Sequence, residues 1–280
     1  AYTETENELT VKANKCTFIF SKKDGQLKGV SVDNRKISFA NGPRFIGARR
    51  ADRSLDQFYN HDDEKAKEKD RTYSEFPDAA VFTKLDVKED GGNLVVTANY
   101  KLGNLDKAQW TINPSGDLAL DYTYNFSGVV DLMGIRFDYP EDQVISKRWL
   151  GAGPYRVWQN RIHGTQYDVW ENDYNDPIPG ETFTYPEFKG YFGDVSWMNI
   201  QTKEGTISLT NETPDAYIGV YQPRDGRDRL LYTLPESGIS VLNVIPPVRN
   251  KVNSTDLCGP SSQPKWVNGP QTGRVIFRFM

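Results

Sequence analysis

Cysteine and histidine are the scarcest chemistry-bearing residues in this 280-residue chain. There are two of each, Cys16, Cys258, His61 and His163, and all four are far apart in sequence. A zinc site needs clustered thiolate and imidazole ligands, which this spacing does not supply. Two cysteines give no disulfide framework either, and the pair is expected to be unlinked. A serine hydrolase would have to use His61 or His163, and no nucleophile elbow is present. No glycine-rich phosphate loop follows a strand. No apolar run approaches the ~20 residues of a helical membrane span. Neither sign of charge dominates, with 34 Lys and Arg against 38 Asp and Glu and a net charge of −4. That balance offers no tract for nucleic acid and no basic face for a membrane. No metal and no cofactor is expected.

What the chain does have is aromatic residues, 15 Tyr, 14 Phe and 6 Trp, which favour sheets over helices. Residues 8–20 alternate and end in an aromatic, β-branched run. Lys22–Gly25 then makes a hairpin turn into Leu27–Val32, and Asp33-Asn34 turns the chain again into Lys36–Phe39. From Ala80 onward, short alternating runs recur: Ala80–Leu85, Leu94–Tyr100, Ala108–Ile112, Leu118–Phe126, Met133–Tyr139 and Val144–Leu150. Gly91-Gly92, Gly103-Asn104 and Asn113–Gly116 supply turn chemistry between them. Strand patterns resume at Val195–Thr202, Thr206–Asn211, Ile218–Gln222, Leu230–Leu234, Ile239–Ile245 and Val275–Phe279. No repeat or linker divides the chain. The pattern predicts one all-β, antiparallel domain over residues 1–280, built of two large sheets packed face to face.

Two stretches break the alternation. Residues 43–76 are dense in charge and read as a long surface loop, with a short solvated helix over Asp62–Arg71. The Pro-, Gly- and acid-rich run after Trp170 holds Glu171, Asp173 and Asp176, oxygen ligands of the kind calcium takes. Their spacing matches no EF-hand loop, so a solvated turn is expected there.

Arg148–Trp170, RWLGAGPYRVWQNRIHGTQYDVW, concentrates the most chemistry. Gly151, Gly153 and Pro154 rule out a regular helix or central strand and predict a tight, exposed turn. Beyond it lie Arg156, Trp158, Arg161, His163, Tyr167 and Trp170. Flat aromatic faces beside forked guanidinium donors suit sugar rings and carboxylates. The other reading is structural, with the tryptophans capping the sandwich and the arginines stacked on them. As a ligand site the stretch predicts carbohydrate contacts from Arg156, Trp158, Arg161, His163 and Trp170, with an acidic or sulfated sugar favoured.

Three segments resemble one family. They are Lys15–Leu27 followed by Phe45–Arg49, then Trp149–Trp170, then Ser240–Val244 followed by Leu257–Pro260. In order and spacing they resemble the C-terminal domain of family 2 β-galactosidases, the β-galactosidase small-chain domain. That family carries a Gly-x-Gly-Pro-x-Glu-x-Tyr-x-Asp-Arg motif. Gly151, Gly153, Pro154 and Arg161 match it, whereas Arg156, Trp158 and Asn160 stand where the family has Glu, Tyr and Asp. The family's Arg-Ala-Pro-x-Asp-Asn segment is only loosely matched by Ala48–Arg53, and its sugar-stacking tryptophan aligns with Val241. The resemblance implies a galactose mutarotase-like supersandwich that serves as the accessory module of a larger glycoside hydrolase. Its implied partners are that enzyme's catalytic (β/α)₈ barrel and an oligosaccharide. No catalytic residue carries over, because the family's catalytic acids sit on the barrel and nothing here alternates strands with helices.

The alternative is a free-standing carbohydrate-active enzyme of the same fold. An aldose epimerase needs a carboxylate base and histidines, and only His61 and His163 are available. A polysaccharide lyase would use Arg161, His163 and Tyr167 as neutraliser, orienter and base.

Overall fold

The computed structural model describes residues 1–50, 73–173, 190–221, 234–247 and 259–280. The first strands are β1 (Tyr2–Glu4), β2 (Glu8–Ala13), β3 (Cys16–Ser21), β4 (Leu27–Val32), β5 (Arg35–Ile37), β6 (Ala40–Arg50) and β7 (Tyr73–Glu75). They are followed by β8 (Val81–Asp90), β9 (Asn93–Lys101), β10 (Leu105–Ile112), β11 (Leu118–Val130), β12 (Leu132–Asp138), β13 (Val144–Gly153) and β14 (Gln166–Asp173). The last are β15 (Trp197–Thr202), β16 (Gly205–Asn211), β17 (Tyr217–Val220), β18 (Ile239–Val244) and β19 (Lys265–Phe279). Among the described residues the only helical elements are two short 3₁₀ turns, and none is long and apolar enough to cross a membrane.

The strands form two antiparallel sheets. One runs β1-β2-β3-β4-β6-β12-β18-β17, with β5 beside β4 and β7 beside β6; the other runs β14-β13-β15-β16-β19-β11-β10-β9-β8. The all-β, face-to-face architecture expected from the sequence is therefore what the chain adopts. Turn chemistry sets the registers. Gly91 and Gly92 both have positive φ, and Asp90 faces Asn93 across the turn. Asp33 and Asn34 do the same between Val32 and Arg35. Two consecutive positive φ values make the two-residue turn whose twist matches paired strands.

Alternation sends every second side chain between the sheets. There Phe39 meets Phe137, Phe277 and Phe279 at centroid separations of 4.7, 5.0 and 5.4 Å. Trp110, Tyr122 and Tyr124 complete the same buried layer. Cys16 is a buried free thiol, and Cys258 lies outside the described residues.

The first sheet is covered on its other face as well. Ile46 and Ala48 of β6, Leu132 of β12 and Leu242 of β18 form a second buried cluster with Val157, Trp158, Tyr191 and Ile245. This corrects the loop expected over residues 43–76: Ala40–Arg50 is an eleven-residue strand inside the sheet. A strand buried on both faces loses the polar half of its alternation, so FIGA between arginines does not look like a strand. The same loop expectation fails at Tyr73–Glu75, and the remainder, with the Asp62–Arg71 helix, lies outside the described residues.

Candidate functional site

The tight, exposed turn expected at Gly151–Pro154 is not there: Gly151 and Gly153 are buried residues of β13, which runs between β14 and β15, and the chain leaves the sheet only at Pro154. From Pro154 the chain folds back over the outer face of the first sheet. Val157 and Tyr191 exchange backbone hydrogen bonds of 2.7 and 2.8 Å, and Gln159 donates from its backbone to Pro246 O at 3.1 Å. The Gln159 side-chain amide donates to Ser261 O and Gln263 O at 2.9 and 2.6 Å, fastening the segment to the stretch before β19. Gly190 lets the two chains approach, since a Cβ there would sit 2.1 Å from Val157 O.

This fastening decides where the expected site residues go. Trp158 is 1 % exposed and meets Tyr191 edge to face at 5.6 Å. Of the two readings of this tryptophan, the structure gives the core one. Arg156 is 4 % exposed, with its guanidinium 5.6 Å over the Phe192 ring. Trp170 is half-buried against Gly153, and its indole N–H donates to Gln166 O at 3.2 Å. Arg161 and His163 are exposed. Trp158 and Arg161 pair through their backbones, Arg161 N donating to Trp158 O at 2.8 Å. The segment is thus a strap with a buried side, Arg156 and Trp158, and an open side, Arg161 and His163. Tyr155, Ile162, Tyr167 and Val169, close to these two in sequence, are exposed as well. Val241, aligned with the family's stacking tryptophan, points between the sheets and is buried.

Sequence reasoning missed a buried lysine on β13, the strand that leads into this strap. Lys147 of β13 is 0 % exposed and faces Asn172 of β14, itself buried. The parity of β13 carried the signal, since Lys147 shares its face with buried Trp149 and Gly151. Of the acids considered for calcium, Glu171 and Asp173 are exposed on β14 and Asp176 lies outside the described residues. Among the described residues no group of three His, Cys, Asp or Glu converges on a metal position.

Two large antiparallel sheets, packed face to face and strapped across one outer face, define the galactose mutarotase-like β-sandwich. Galactose 1-epimerase from Lactobacillus acidophilus NCFM has this fold, superposing with a TM-score of 0.51 at 10 % identity over 100 % of this chain and 97 % of its own. A galactose mutarotase-like protein from Lactobacillus casei ATCC 334 gives 0.46 at 11 % identity over 98 % and 100 %. A putative aldose 1-epimerase from Escherichia coli K12 gives 0.41 at 13 % over 100 % and 99 %. Residues 12–251 match the family described as "Beta galactosidase small chain", and the chain belongs to that family. The comparison with curated proteins gives no match. Membership fits an accessory domain of an enzyme resembling the family 2 β-galactosidases, the reading the sequence motifs pointed to.

Proposed function

We propose that the chain works as a non-catalytic accessory domain of a glycoside hydrolase, packing against a catalytic (β/α)₈ barrel. The family match over residues 12–251 carries this reading. The open side of the strap supports it further. Arg161 and His163 are exposed, as are Tyr155, Ile162, Tyr167 and Val169 near them in sequence. Aromatic and arginine side chains on a rigid scaffold are the residues that dominate interfaces and also bind sugars. Trp158 supports the strap from beneath and takes no direct part. Any carbohydrate contact of this segment falls to Arg161, His163 and the free edge of Trp170.

The test is reconstitution. The purified chain is mixed with the catalytic barrel of its parent enzyme, prepared without this domain. Co-elution and a rise in aryl-galactoside hydrolysis are expected, with no hydrolysis by the chain alone. Sustained aryl-glycoside turnover by the chain, abolished by one Asp or Glu substitution, would overturn the proposal.

A further inference from the structure

A second feature lies on the same outer face of the first sheet, at the other end of the strands. Arg44, Ile46 and Ala48 share one face of β6, and Leu132 and Arg136 share one face of β12. At the Trp158 end that face is covered. At the Arg44 end it opens into a cleft of ≈ 860 Å³ between the β4–β6 region and the approach to β18. This is within the usual size range of small-molecule sites, roughly 300–1,000 Å³.

We infer that this cleft binds a neutral saccharide through Lys28, Asn41, Arg44, Arg136, Asp138 and Ser237. Its wall is already organised by hydrogen bonds. Lys28 donates to Asn41 Oδ1 at 3.3 Å and the Asn41 amide donates to Asp138 Oδ2 at 2.9 Å. Arg44 donates to the other Asp138 oxygen, and Arg136 donates to Glu236 O. Planar polar groups fixed in this way lose little side-chain freedom when a ligand arrives. The cleft also has unused bonding capacity: Ser237 is 2 % exposed, lines the cleft, and its hydroxyl has no hydrogen-bond partner among the described residues. A buried hydroxyl left unpaired costs stability that a ligand group can restore.

Charge selects the ligand class. Lys28, Lys36, Arg44 and Arg136 line the opening together with Asp138, Glu141 and Glu236. Four cations against three carboxylates is too close to balance to favour a polyanion or a cation. Each sugar hydroxyl both donates and accepts, which suits a wall where guanidinium and ammonium donors stand between carboxylate acceptors. The probes are disaccharides because the family is carbohydrate-related.

The experiment titrates the 280-residue chain with lactose, galactobiose, cellobiose and xylobiose, and with digalacturonate as the acidic arm, by calorimetry and saturation-transfer NMR. The expected result is saturable binding of at least one neutral disaccharide, roughly millimolar. Arg136→Gln should weaken it about tenfold or more, as loss of a hydrogen bond to a charged group does, while Lys84→Ala, an exposed position outside the cleft, leaves it unchanged. If Arg136→Gln lowers the melting temperature, Lys28→Ala carries the same test from a more exposed position. Saturation by no neutral probe, preference for digalacturonate, or binding that depends on His163 and ignores both cleft variants would each overturn the inference. Failure here leaves barrel reconstitution untouched, and failure of reconstitution leaves these titrations readable.

Discussion

Single residues decide how the strap and the sheet connections behave. Trp158 fills the second buried cluster, so Trp158→Ala is expected to cost ~3–5 kcal/mol in urea unfolding. Arg161→Ala and His163→Ala, at exposed positions, should stay within ~0.5 kcal/mol. Glu204 ties the two sheets together. Its carboxylate accepts from Ser38 Oγ at 2.6 Å, from Ser38 N at 2.9 Å and from the Tyr139 hydroxyl at 2.9 Å. Burial works against its charge, but the Ser38 and Tyr139 donors prevail and hold it below its ordinary value of 4.5. A carboxylate with a depressed folded value stabilises the fold fully above its unfolded value and loses that contribution as pH falls through the folded one. Urea midpoints of the wild type should therefore drop as pH falls below 4.5. Glu204→Gln should lower the midpoint at neutral pH and flatten that acid limb.

Among elements, the hairpins were legible and the doubly covered strand was not. Asp33-Asn34 and Gly91-Gly92 announce their turns because few residue pairs tolerate two positive φ values. A paired substitution shows the point. Gly92→Ala meets no atom within 4 Å but must hold φ +83, and should lose ~1–2 kcal/mol through backbone strain alone. Gly29→Ala lies in β4 with Ile19 at 3.7 Å, ordinary contact distance, and should be neutral or stabilising by up to ~1 kcal/mol. Thermal unfolding of the two variants checks the contrast. By comparison, β6 has the pattern of a loop because Ile46 and Ala48 are buried by a segment more than a hundred residues away in sequence, Val157–Trp158. Local pattern does not report what a distant segment covers. The same limit applied to Trp158, whose residue type suits a sugar platform and a core equally well. The first half of β19 is hidden for another reason: Asn268-Gly269-Pro270 has turn-forming residue types, and Gly269 does take φ +92, yet the segment stays paired with Asn125–Ser127 of β11.

For the whole molecule, the two-sheet antiparallel sandwich followed from alternation and turn spacing, and its galactose mutarotase-like form from the family resemblance carried by three segments, the Gly151–Arg161 motif among them. The cleft at Arg44 and Arg136 did not, because its residues come from β4, β6, β12 and the approach to β18. Far-UV circular dichroism should show a sheet-dominated spectrum; a helix-dominated one would contradict the fold. The position of β19 has a further consequence. It lies inside the second sheet, between β11 and β16, pairing Phe277 with both Leu118 and Leu209. The halves of that sheet cannot join until residue 279 has left the ribosome, which makes the fold slow to complete. Until then β11 and β16 present bare edges, so a chain stalled or cut before Val275 should aggregate rather than persist as a smaller sandwich.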